Sequence, residues 1–258
     1  MDNKYLSNFT NSKWIDCKDY YLSVNGTFPK CNIEYSLSAS EVVNVLDILD
    51  KSLNYYISPE KYAENVVFGI KPFFSETSKL YMKKGVKNEK IVLEMLEDFL
   101  NEEYKNQDIF LEKIQCICRP KFDLRLSCKA DGLIYQGGKL VSIVEIKTCH
   151  SRKRIEKLSE IIENIKKGLI SEEEINKNVL DSSFHHSFID DSHYAQIQFT
   201  IKCHNVENCE YILSYPKENI TLMWNIPYND YYWKSFMEPK IREHFDINIK
   251  KALSKKEI

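Results

Sequence analysis

Apolar and polar positions change period along the chain, and the changes mark out its elements. Ser38 and Glu41 make a Ser-x-x-Glu capping signature before Val42, Val43, Val45 and Leu46, which predicts a helix over 38–55. Residues 58–84 read as a helix, a proline-containing break and a second helix. Val92, Leu93, Leu96 and Leu100 follow Glu89 on one helical stripe, so a helix over 85–105 is expected, opened by Glu89. Between 109 and 147 the pattern becomes strand-like, with Ile114 to Cys118 as the first strand. The stretch 151–180 is rich in Lys and Glu, with Ile155, Leu158, Ile161, Ile162 and Ile165, and predicts an exposed amphipathic helix. Tyr194, Ile197 and Ile201 define a helix over 191–204. Strands over Glu210 to Tyr215 and Asn219 to Ile226 and a helix over 229–253 complete the chain. Residues 1–35, polar and aromatic, read as an irregular arm, and 36–258 as one domain with a helical insert near 150–190.

The stretch from Arg125 to Lys147 carries the chemistry. Asp131 leaves a strand, Gly137-Gly138 turns the chain, and an apolar strand ends in Glu145-Ile146-Lys147. Two carboxylates brought together can hold Mg²⁺, which prefers oxygen ligands. Side chains alternate along a strand, so Glu145 and Lys147 share a face with Val141 and Ile143, and Leu140, Ser142, Val144 and Ile146 take the other. A charged pair continuing a buried face is costly unless it is paired or metal-bound. In a regular hairpin Asp131 opposes Glu145 only across an odd loop, most simply Gly137-Gly138-Lys139 with a bulge. A two-residue Gly-Gly turn would pair Asp131 with Val144.

This segment resembles the PD-(D/E)xK nuclease core, with Ala130-Asp131 in place of Pro-Asp. Three further stretches, in the same order, resemble the branch containing phage lambda exonuclease, the YqaJ-type viral recombinases and viral alkaline nucleases. They are Ser36 to Leu46, Gly85-Val-Lys-Asn-Glu89 and Tyr194-Ala-Gln-Ile-Gln198, and with the hairpin they cover about 36–215. The resemblance implies an α/β fold with a restriction-endonuclease-like core, a mixed central sheet flanked by helices. It implies a Mg²⁺-dependent nuclease, Mn²⁺ being able to substitute, that acts on DNA as a 5′-to-3′ exonuclease in recombination or DNA processing. Asp131, Glu145 and the Ile146 carbonyl would hold metal and Lys147 would orient the attacking water. Glu89 would serve as an accessory carboxylate, and Gln196 is the glutamine the resemblance picks. Ser38, Ser40, Arg125 and Arg152 would meet the phosphates. The arginine expected in the terminal-phosphate pocket is replaced by Ile33, with Lys30 nearby, which implies a weak preference for 5′-phosphorylated ends. Partners implied are duplex ends or single strands of DNA and a single-strand annealing protein. A monomer and a ring trimer both stay open, as do an endonuclease for DNA or RNA and a non-cutting binding module.

Composition changes this picture little. The chain of 258 residues has 43% hydrophobic residues, enough for a substantial core. Its net charge of −2 does not point to nucleic acid, but an acidic metal site offsets local basic patches such as Lys83, Lys84, Lys87 and Lys90. Cys17, Cys31, Cys116, Cys118, Cys128, Cys149, Cys203 and Cys209 contain no Cys-x-x-Cys pair. That spacing argues against zinc, and the scarcity of late cysteines argues against an iron–sulfur cluster. With no long apolar segment and no signal peptide, reduced thiols in a cytoplasmic or nuclear, non-secreted protein are expected.

Overall fold

The computed structural model describes residues 9, 13–24, 31, 33–48, 56–113, 116–168 and 189–256. A five-stranded sheet forms its centre. Its strands are β4 (Ile109–Glu112), β7 (Gly132–Gln136), β8 (Lys139–Thr148), β9 (Asn208–Tyr215) and β10 (Ile220–Pro227). They lie in the order β10-β9-β8-β7-β4. β8 and β9 run parallel, and the other neighbours are antiparallel. Parallel neighbours need a long crossover. Here it contains α4 (Arg152–Lys166) and α5 (Asp191–His204). The expected mixed sheet flanked by helices is therefore present.

The strands alternate apolar residues to both faces, so helices cover both. On one face α3 (Glu76–Glu103) lays Val92, Leu93, Leu96 and Leu100 against Leu111, Ile134, Val144, Ile146 and Ile212. On the other, α5 brings Tyr194, Ile197 and Ile201 into the main core with Leu133, Ile143, Tyr211 and Leu213. A helical run over 230–256, with π turns at Trp233–Met237 and His244–Asn248, closes that core with Tyr232, Trp233, Met237 and Ile249.

Several elements differ from the sequence expectation. Part of the arm is regular: β1 (Trp14–Asp16) and β2 (Tyr20–Ser23) pair, and β2 pairs with β5 (Cys118–Pro120). Aromatic packing explains this, since Phe9, Trp14, Ile33 and Leu124 form a small core of their own. Instead of one strand over 114–118, β4 and β5 stand on either side of that stretch, with 114–115 outside the described residues. The helix expected over 38–55 is a single turn, α1 (Val42–Val45), ended by Asp47 in the left-handed conformation. Residues 49–55 lie outside the described part. Glu89 does not open a helix. α3 starts at Glu76, with Ser75 accepting the Ser78 N–H at 3.0 Å, and runs on through Gly85. An interior glycine costs a helix only about 1 kcal/mol, which the apolar stripe outweighs. Before it, α2 (Pro59–Phe68) ends at left-handed Gly69. Within the insert, α4 is described, while 169–188, including His185 and His186, lies outside the described residues.

Candidate active site

The β7–β8 hairpin builds the centre of the site, by a different route from the expected odd loop. Gln136 pairs with Lys139, so the turn has two residues, and Gly137 and Gly138 both have positive φ, 58° and 72°. That is the two-residue hairpin turn that glycine favours. The register then slips. Tyr135 faces Leu140 but Ile134 faces Ser142, leaving Val141 as the extra residue of a bulge. The bulge restores the parity that the short turn removes. Gly132 pairs with Val144, and one further step sets Asp131 level with Glu145. It also corrects the faces nearer the turn. Val141 packs with Ile134 and Val144, whereas Leu140 joins the core of Ile143. Gly132 sits close to α3 and β4: a Cβ would lie 3.0 Å from Leu111 Cδ1 and 3.2 Å from Leu93 Cδ2, so both leucines would have to shift by a few tenths of an ångström.

Four predicted residues meet at the end of β8. The Asp131 Oδ2 accepts the Ile146 N–H at 2.7 Å. Glu145 is only 2% exposed. Its Oε1 accepts the Gln196 Nε2–H at 2.6 Å and lies 2.7 Å from Lys147 Nζ. Lys147 Nζ donates to Gln196 Oε1 at 3.0 Å. Gln196 thus spans the ion pair, one end of its amide on the base and the other on the acid. The second Glu145 oxygen, Oε2, is buried and has no hydrogen-bond partner. Such an atom is costly in a protein interior.

Electrostatics mark the same place. Burial, with the charges of Glu145 and Glu89, pushes the Asp131 carboxyl well above the usual carboxylate range, against the opposing pull of Lys147 and the Ile146 N–H. Burial pulls Lys147 down, but Glu145 and Asp131 outweigh it and hold the ammonium above its ordinary value. Glu89, half-buried in the middle of α3, is raised by burial and by Glu145, with Lys147 and Lys129 opposing. Glu89 does not close a tight trio with Asp131 and Glu145: among the described residues, the trio of potential ligand atoms within 4.8 Å of one another is Cys118, Cys128 and His204.

The residue before Glu89 matters more than the sequence suggests. Asn88 is buried, donates to Thr148 Oγ1 at 2.9 Å and accepts from Ser214 Oγ at 3.4 Å. It ties α3 to the ends of β8 and β9 and so sets where Glu89 stands. Lys129 stands two residues before Asp131, a spacing that could have drawn attention to it. Gln198 is structural: its Nε2 donates to the Pro227 carbonyl at 2.9 Å and its Oε1 accepts the Asn229 N–H at 2.7 Å.

The residues expected to meet phosphate have partners of their own. Ser38 lies on β3 (Leu37–Ser38), parallel to β6 (Leu126–Ser127). Glu41 reaches back to the Ser38 N–H at 3.2 Å, but the Ser38 hydroxyl donates to Glu41 Oε2 instead of capping, so only half of the capping box forms. Ser40 Oγ lies 3.2 Å from Ser38 Oγ. Arg125 is next to this cluster through its carbonyl, which accepts the Leu37 N–H at 2.9 Å. Its guanidinium is held by Asp123 at 2.7 and 3.0 Å and lies 4.0 Å from the centre of the Phe245 ring. Arg152 pairs with Glu156 at 2.8 Å and Glu218 at 3.3 Å on the surface of α4. Ile33 is a core residue, and Lys30 lies outside the described part.

The structure is similar to that of an alkaline exonuclease from Laribacter hongkongensis, with a TM-score of 0.51 and 14% identity over 87% of this chain and 93% of that one. The chain shares that fold. The same exonuclease in complex with dAMP gives a TM-score of 0.52 at 14% identity, with the same coverage. No family model matches the chain, and no curated protein does. Among the described residues, no helix is long and apolar enough to cross a membrane.

Proposed function

We propose that the chain is a Mg²⁺-dependent deoxyribonuclease of the PD-(D/E)xK type, acting as a 5′-to-3′ exonuclease on duplex DNA, with Asp131, Glu145 and Lys147 at its centre. The observation that carries the proposal is the Glu145 carboxylate, 2% exposed, with one oxygen held by Gln196 and Lys147 and the other without a partner beside Asp131. The fold shared with an alkaline exonuclease supports the same reading.

The donor set fits a hard divalent cation. Asp131 has used one oxygen on the Ile146 N–H, and Glu145 has one unused oxygen. Burial first, and then the charges of Glu145 and Glu89, keep the Asp131 carboxyl raised despite Lys147, a cost that a bound cation would offset. Asp131, Glu145 and the Ile146 carbonyl would hold Mg²⁺, with Glu89 as an outer carboxylate. The chemistry Mg²⁺ would supply there is polarisation of the scissile phosphate and neutralisation of charge on the leaving oxygen.

The chain's own groups do the rest. Lys147, kept cationic by its carboxylate neighbours, orients the attacking water and offsets charge on the phosphate. Gln196 fixes both the ammonium and one Glu145 oxygen without adding charge, so the other oxygen stays aimed at the cation position. Incubating end-labelled linear duplex, closed circular DNA and RNA side by side, with and without Mg²⁺, tests the proposal. Mg²⁺-dependent release of nucleotides from linear duplex alone is expected. Loss of closed circles or of RNA would replace the exonuclease reading by an endonuclease, and binding without cutting by a non-catalytic module.

A further inference from the structure

A second cluster of ligand-type side chains lies outside the carboxylate centre and is not needed for phosphodiester hydrolysis. Cys118 and Cys128 face each other across a narrow antiparallel pair, their main chains exchanging hydrogen bonds of 2.8 and 3.0 Å. That pairing brings their side chains to the same face. His204, the last residue of α5, closes the group, its Nδ1 lying 3.5 Å from Cys128 Sγ. The ligand atoms of all three lie within 4.8 Å of one another. Cys118, Cys128 and His204 are 0, 3 and 2% exposed.

From these residues we propose that Cys118, Cys128 and His204 form a soft-metal site that takes Zn²⁺. Two thiols and an imidazole are the donor chemistry Zn²⁺ prefers over the hard cations suited to carboxylates. Around tetrahedral Zn²⁺, bond lengths of about 2.0–2.3 Å place neighbouring ligand atoms roughly 3.5 Å apart. The trio, with its ligand atoms within 4.8 Å of one another, needs only small side-chain movement to reach this. An independent observation points the same way: His204 Nε2 is buried and has no hydrogen-bond partner. His204 Nδ1 lies 3.0 Å from the Thr200 carbonyl, a contact that can set which ring nitrogen carries the proton and which offers its lone pair. The neighbouring Cys203 thiol is also buried, but it stands outside the trio whose ligand atoms lie within 4.8 Å of one another. A cavity of about 700 Å³ lined by Cys17, Tyr20 and His204 adjoins the group on its histidine side.

The site would be structural. It would clamp the C-terminal end of α5 to β5 and β6, fixing the helix that carries Gln196. His204 is eight residues beyond Gln196, about 12 Å along the helix at 1.5 Å per residue, so the two centres are distinct. The spacing argument against zinc does not address this group, because it looks for ligand pairs along the chain, whereas these ligands come from two paired segments and a helix end.

Co²⁺ absorption tests the inference on the full-length, reduced protein carrying D131N and E145Q, so that the carboxylate centre takes up no ion. One equivalent of Co²⁺ should give intense thiolate-to-metal charge-transfer and tetrahedral ligand-field bands, displaced by one equivalent of Zn²⁺. Cys128→Ser and His204→Phe should each weaken Co²⁺ binding by about a hundredfold, at the upper end of the loss seen even for outer-shell changes, while Cys31→Ser leaves it unchanged. Absence of the charge-transfer band in the protein with all three residues intact overturns the inference, whether or not the variants fold. So does a band that survives in folded Cys128→Ser and Cys118→Ser.

Discussion

Asp131 should cost the metal-free protein stability, and replacing it with asparagine should raise the melting temperature while removing cleavage. The asparagine side chain would keep an oxygen to accept the Ile146 N–H, which now reaches Asp131 Oδ2 at 2.7 Å. What the exchange removes is a charge that burial, Glu145 and Glu89 oppose. A carboxyl whose folded pKa lies above its unfolded value binds its proton more tightly in the folded protein. Its contribution therefore favours folding at acid pH and is lost as pH rises through the folded value. Above the unfolded value the cost grows with pH, so at pH 7.5 the wild type carries a cost that Asp131→Asn does not. Exchanges of a functional group held at a cost commonly return about 0.5–2 kcal/mol. At roughly 2–4 °C per kcal/mol for a chain of this size, the gain should be about 1–8 °C. Differential scanning fluorimetry from pH 4 to pH 8 in EDTA checks it, and the gain should shrink towards the acid end. Mg²⁺ reverses the comparison: at a hundred times Kd it should stabilise the wild type by about 2.7 kcal/mol and Asp131→Asn far less. Equal melting temperatures at pH 7.5 in EDTA would show that Asp131 carries no such cost, and equal Mg²⁺ shifts in the two proteins would show that it is not a metal ligand.

Other outcomes follow from the same geometry. Glu145→Ala should abolish Mg²⁺-dependent cleavage with the fold retained, checked by rates over a Mg²⁺ titration and circular dichroism; near-normal turnover at any Mg²⁺ concentration would remove Glu145 from the site. Lys147→Ala should lose about 10²- to 10⁴-fold in kcat yet still bind duplex in a gel-shift or anisotropy assay, whereas an equal loss of binding would make it a phosphate grip. Gln196→Ala, which removes the amide bridging Glu145 Oε1 and Lys147 Nζ and leaves only their ion pair, should cost about 10- to 100-fold, and Gln198→Ala should instead lower the melting temperature through its Pro227 and Asn229 contacts. With Ile33 in the core and Arg125 engaged by Asp123 and Phe245, rates on 5′-phosphorylated and 5′-hydroxyl ends should differ by less than about tenfold. A larger preference lost in Arg125→Ala would mean that this guanidinium leaves Asp123 for the DNA end.

Legibility in the sequence follows how local each determinant is. The stripe Val92, Leu93, Leu96 and Leu100 predicts its helix correctly because burial against the sheet enforces the helical period. The start of that helix is misplaced because Gly85 reads as a boundary, while the real cap, Ser75, lies a full ten residues earlier. Trp14 and Tyr21 hint at packing in the arm, but the pairing of its β2 strand with β5 depends on residues about a hundred positions away, which no local pattern encodes. Asn88 is illegible for the same reason, since its partners Thr148 and Ser214 are joined to it only by the fold.

The hairpin separates local from global most clearly. Local turn chemistry favours Gly137-Gly138 as a two-residue turn, and a regular ladder from that turn would point Glu145 away from Asp131. Burial has the opposite requirement. Ile143 has to reach the α5 face with Leu133, and Val144 and Ile146 the α3 face with Ile134. One inserted residue, Val141, satisfies both, since a bulge costs an unpaired ladder position whereas a slipped register would turn every side chain of β8 to the wrong face and drive Glu145 and Lys147 into the α3 core. The alignment of the two acids is thus a consequence of core packing. Deleting Val141 therefore tests more than the turn: it should either slide β8 by one residue and separate Asp131 from Glu145, or leave the protein unfolded, and in neither case should cleavage survive.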